Sequence, residues 1–247
     1  MQSKMQFRRT LVATLLAAAG LAFASPSTFA QAPNAYAAQQ MAPKRALAEA
    51  MSAAQRDLAQ FAAHQLKTRG KGAPADFPLD VTDLQELKEA MIAYGFAMHT
   101  IDPSELIAGR STMQRMAKPI NQWRFVITLR NRPIGMATVE RNGGRYETVA
   151  YGAAVLAKDV DALAATHGNA DKSNLRFVRI FQARSDLLEV VTTDGRARFA
   201  PMHSARESLM LQQRASKDGI RSDGLLDDAD LVQPLRTAVK QNLEASR

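Results

Sequence analysis

From Trp123 to Arg130 the side chains alternate strictly. Trp123, Phe125, Ile127 and Leu129 point one way, and Arg124, Val126, Thr128 and Arg130 the other. That period-two pattern requires a β-strand with one strongly buried face. Asn131-Arg132-Pro133 predicts a turn and Ile134 to Arg141 a returning strand. Asn142-Gly143-Gly144 is a hairpin signal, because its central residues tolerate positive φ. Arg145 to Tyr151 then completes a three-stranded meander. Ala153 to Ala165 reads as a helix with Val155, Leu156, Val160 and Leu163 inward, stopped by Gly168.

A second β unit follows. Leu175 to Ala183 and Leu187 to Thr193 are rich in β-formers, with Arg184-Ser185-Asp186 between them. Asp194-Gly195 turns the chain toward a further strand at Arg196 to Met202, and Ala205 to Ala215 leans helical. Upstream, Leu47, Met51, Ala54, Leu58 and Phe61 make one helical stripe, read as a helix packed on its own domain. Residues 67–80 are rich in Gly, Pro and charge and read as a linker. Thr82 and Gln85 suggest a capping box opening a helix with Leu84, Leu87 and Met91 inward, ended by Gly95. Phe96 to Ile101 is a strand, and Asp102-Pro103 starts a short helix closed by Gly109. Leu231 to Ala245 is a terminal helix.

This order predicts an α+β fold. It has an antiparallel sheet of about five to seven strands in meander–helix–hairpin order, with helices on one face and helical extensions at both ends. The element order is similar to that of cystatin-like folds, in which a curved sheet wraps a helix. The expected organisation is a signal peptide at 1–30, a mobile stretch at 31–43, a helix and linker at 44–80, the α+β domain at 81–216, and a polar loop and helix at 217–247.

The expected address is outside the cytoplasm, periplasmic or secreted. Lys4, Arg8 and Arg9 precede the apolar run Leu11 to Phe23, too short to cross a bilayer, and small residues then lead to Ala30. Cleavage is expected after Ala30. Arg8-Arg9 fits twin-arginine export, although paired arginines are ordinary in any basic leader. Three of the 32 basic residues lie in the leader, so the mature chain would carry about +5 against 24 acidic residues. With no Cys there is no disulfide, thiolate zinc site or Cys nucleophile.

Chemistry is sparse. His64, His99, His167 and His203 show no ligand spacing, so neither a metal nor a cofactor is expected. No Gly-x-Ser-x-Gly elbow is present, and Asp223, Asp227, Asp228 and Asp230 lack the order of a calcium loop. Charge gives one hint. From Leu106 to Val139 there are six basic residues (Arg110, Arg115, Lys118, Arg124, Arg130 and Arg132) and no acidic one. Arg124, Arg130, Arg132, Arg176 and Arg184 are therefore the candidate binding residues, on a basic sheet face suited to an acidic protein, glycan or lipid headgroup. The competing account is a solvated face paired to Glu140, Glu147 and Glu189. Few aromatics interleave with these arginines, which argues against nucleic acid. The expected function is a soluble, non-enzymatic binding or accessory protein using that face or a strand edge. A hydrolase with a dispersed site and a structural envelope component are the alternatives.

Overall fold

The computed structural model describes residues 35–69, 72–211 and 223–245. The expected leader, its cleavage site and residues 217–222 of the polar loop lie outside the described residues.

Seven strands form one sheet in the order β4-β3-β2-β1-β5-β6-β7. They are β1 (Ala90–Thr100), β2 (Lys118–Leu129), β3 (Arg132–Asn142), β4 (Arg145–Gly152), β5 (Leu175–Ile180), β6 (Ser185–Val191) and β7 (Ala197–Pro201). All neighbours are antiparallel except β1 and β5, which run parallel through Met98–Phe177 and His99–Val178. The helices are α1 (Ala35–Arg69), α2 (Pro103–Ala108), α3 (Met113–Met116), α4 (Ala154–His167), α5 (His203–Ser208) and α6 (Asp228–Ala245). The fold is α+β, mostly antiparallel and packed with helices, with helices at each end.

Helices cover both faces rather than the expected one. On one face, α1 places Ala50, Ala54, Leu58 and Ala62 over Phe125, Ile127, Ala137 and Val139. On the same face beyond β1, α2, α3 and α6 cover Val178, Leu187 and Phe199. On the opposite face, Ala157, Val160 and Ala164 of α4 pack with Phe96, Val126, Met136, Phe177 and Leu188. Val126 and Thr128, expected on the open side, are buried for this reason.

Several local readings change with a physical cause. The expected helix after Thr82 is a short 3-10 helix, Leu84–Glu89, capped by Asp83 with Glu86 reaching back to it. Leu84 and Leu87 are buried as expected, but β1 begins at Ala90 and Met91 is exposed. Gly95 is no helix stop. It sits in β1 where a Cβ would lie 2.2 Å from the Phe125 ring, so only glycine allows that approach. The first hairpin turns at Arg130 and Asn131, both at positive φ (51° and 64°), a residue earlier than expected. Trp123 is half-buried rather than buried, stacked 6.5 Å from Phe125. Val155 is exposed, while Ala157 and Ala164 carry the buried side of α4.

Candidate functional site

The five candidate arginines do not share a surface. Arg124 lies on the α4 face, its Nε 3.3 Å from Met98 Sδ and its guanidinium 5.6 Å from the centre of the Phe177 ring. Arg176 neighbours Phe177 along β5 and so projects to the opposite face. There its Nε and Nη2 both donate to Glu189, which is 1% exposed, and Nη2 also donates to the Gln114 carbonyl at 3.0 Å. Arg130 is a turn residue rather than a strand residue, held by both oxygens of Glu89 at 2.8 Å. Arg132 pairs with Asp80 at 2.9 Å, a carboxylate shared with Lys158. Arg184 is exposed in a left-handed turn before β6. Of the acid-free run, Arg130 and Arg132 thus find counter-charges in other segments, and the five candidates are not brought together on one sheet face. The acidic segment before α6 is also paired with a distant cation. Arg198 holds Asp223 at 2.5 Å, Asp227 at 3.1 Å and the Leu225 carbonyl at 2.7 Å.

Positive charge does converge elsewhere. The connection from α2 to α3 and the start of α6 border a shallow, open cleft of about 470 Å³ lined by Arg110, Arg115, Arg236 and Asp228. The construction is local and specific. Asp102 caps α2 and Gly109 ends it at φ 60°. A Cβ on Gly109 would fall 1.3 Å from Arg236 Nη2, so the glycine makes room for that guanidinium. Arg236 Nε donates to the Leu106 carbonyl at 2.7 Å, fixing the side chain over the α2 terminus. Arg176 holds α3 from beneath through Gln114, and the Met113 N–H donates to Asp228 at 3.0 Å, tying α3 to α6. Lys118 donates to the Arg115 carbonyl at 2.9 Å.

Among the described residues, no carboxylate is within ion-pair distance of Arg110, Arg115 or Arg236. Burial raises the Asp228 carboxyl above its ordinary range, opposed by the Met113 N–H and reinforced by the charge of Asp227. Behind the cleft, burial also raises Glu189, against the pull of Arg176. Burial, and then the Arg176 charge, hold His99 neutral with a pKa of about 4. Only Asp228 of these three borders the cleft. Among the described residues, no Ser, Thr or His side chain hydrogen-bonds to Asp228 or Glu189. Among the described residues, no group of three or more His, Asp or Glu is placed to hold a metal ion, and no helix is long and apolar enough to cross a membrane.

Arg110 and Arg115 belong to the acid-free run, so that part of the site had a signal in the sequence. Arg236 lies 121 residues beyond Arg115 on a helix with no marking feature. Compared with family models, curated proteins and solved structures, the chain shows no match.

Proposed function

We propose that this chain is an exported, non-catalytic binding protein that engages an anionic group of an envelope partner in the cleft between α2, α3 and α6. One observation carries the reading: Arg110, Arg115 and Arg236 border one cleft with a single carboxylate, Asp228, and among the described residues none of the three arginines has a carboxylate within ion-pair distance. Guanidinium groups with free N–H donors are well matched to carboxylate or phosphate oxygens. Strand-edge recognition is less favoured. Asp57 of α1 accepts the Thr148 N–H of β4 at 2.8 Å, and Leu226 pairs with Phe199 of β7 through two 2.9 Å bonds, so both edges are partly occupied.

The test is affinity capture from envelope extract with the wild-type chain and with the double variant R110E/R115E. The wild type should retain a partner at 0.1 M salt and release it near 1 M, where the Debye length falls to about 3 Å. The double variant should retain none at either salt concentration while melting like the wild type. Capture that survives both the charge reversal and high salt would remove the cleft from the function.

A further inference from the structure

β1 is paired along its whole length on one side only. β2 runs beside it from Ala90 to Thr100, whereas β5 meets it only at Met98 and His99. Among the described residues, no strand, bridge or loop backbone pairs with Met91 to Gly95 on the side away from β2. The sheet therefore has a third edge, in its interior, besides the outer edges on β4 and β7. That stretch offers about 17 Å of unpaired strand, at about 3.4 Å per residue. A groove of about 530 Å³ lies along the same edge. Leu58, Ala63 and Leu66 of α1 line one side of it, and Leu87, Met91 and Ile92 the other. Met91 is 58% exposed, and Ala63 and Ala93 are exposed as well. Lys88 borders the groove, and among the described residues no carboxylate is within ion-pair distance of it. Its neighbour Glu89 is taken by Arg130.

We infer that the open edge of β1 is a second docking site, separate from the cleft. It takes an extended peptide strand of a partner protein, with aliphatic side chains facing α1 and an acidic side chain at Lys88. The backbone decides the conformation of the occupant. An extended peptide satisfies the N–H and C=O groups of a free edge and sends alternate side chains into the neighbouring groove. The groove decides the apolar half of its sequence, because the wall formed by α1 is aliphatic. Lys88 decides the charge. A lysine and a bulge, here at Ala93, are devices that keep a free edge from pairing with any strand that meets it. A strand bearing an acid at Lys88 turns the first of these devices into an attraction. The outer edges of this chain are partly occupied by Asp57 and Leu226, which disfavours a second copy as the occupant.

The experiment titrates the ¹⁵N-labelled chain with the capped peptide Glu-Leu-Thr-Leu-Thr-Leu and follows the backbone amide resonances. The same peptide with Lys in place of Glu, and a version N-methylated throughout, are the comparison probes. The Glu peptide should move the amides from Lys88 to Gly95 saturably, and should bind several-fold more tightly than the Lys peptide. The N-methylated peptide, without backbone donors, should not bind. K88E alters an exposed side chain and should reverse the order of the two charged peptides. A63R, on the exposed surface of α1, should abolish binding of both while melting like the wild type. R110E/R115E should leave peptide binding intact, so failure of the cleft reading and failure of this one are told apart. The inference is overturned if those amides show no saturable shift, if the N-methylated peptide binds as well as its parent, or if K88E leaves the preference unchanged. It is also overturned if the same amides shift on raising the protein concentration without peptide, which would assign the edge to a second copy.

Discussion

Gly109 and Arg236 occupy one space, because the volume a Cβ would need at φ 60° is filled by the Arg236 guanidinium. Gly109→Ala must therefore strain the backbone and displace the arginine. The strain should cost about 1–2 kcal/mol, read as a shift in the urea midpoint. Capture of the anionic partner should suffer more than stability does, and unaltered capture would show that Arg236 need not lie there. His99 permits a pH prediction. Burial and Arg176 hold its folded pKa near 4, whereas the unfolded chain takes up a proton near 6.5. Its stabilising contribution is therefore complete above about pH 6.5 and is lost as the pH falls from there toward 4. Allowing for its partial solvent access, His99→Gln should remove on the order of 1 kcal/mol of the stability difference between pH 7.5 and 5. Urea melts of both proteins at the two pH values check it. The raised Glu189 carboxyl acts in the opposite direction but is common to both proteins, so it cancels in the comparison. Phe125→Ala, at a fully buried position, should cost roughly 3–5 kcal/mol. Arg124→Ala should not be silent, since the Arg124 guanidinium packs on Phe177.

Arg198 acts on a whole element. Its side chain, 11% exposed, binds Asp223, Asp227 and the Leu225 carbonyl, and so lays the segment before α6 along β7. Arg198→Ala should release that segment, raising amide exchange at Phe199 and Leu226 and lowering stability by roughly 1–3 kcal/mol. Unchanged exchange at both amides would assign the docking to Leu225 and Leu226 packing alone. Legibility differed among the elements for physical reasons. The hairpin at Gly143-Gly144 and the cap of α2 were readable, because glycine at positive φ and Asp before Pro act within a few residues. The segment after Asp83 was misread, because Leu84, Leu87 and Met91 fall at helical spacing although sheet pairing prevails from Ala90 onward. No local signal shows that β2 and β3 pull that segment into the sheet. The charge pairs were hidden similarly. Arg130 meets Glu89 and Arg132 meets Asp80 across 41 and 52 residues of chain.

Across the molecule, the central parallel pair β1 and β5 divides the sheet into two meanders with different covers. The meander β2 to β4 depends on α1 for one face, where Phe125, Ile127, Ala137 and Val139 are each fully buried. The half formed by β5 to β7 takes its cover on that same face from α2, α3, α5 and α6, none of which belongs to the α1 cluster. The stripe from Leu47 to Phe61 is thus structural cover for a sheet that begins only at Ala90. A chain beginning at Gly72 tests this division. Losing α1 uncovers a contiguous apolar face, since the buried part of α1 is matched to the β2–β3 surface. The truncated chain should bind a hydrophobic dye strongly and lose cooperative melting. Its hydrogen exchange should rise most in β2, β3 and β4, and least in β5 and β6, where Val178, Leu187 and Leu188 keep their cover. Equal loss of protection on both sides of the β1–β5 junction would mean that the molecule unfolds as one cooperative body. Retained protection in β2 to β4 would mean that α4 and the sheet's own pairing suffice without the long helix.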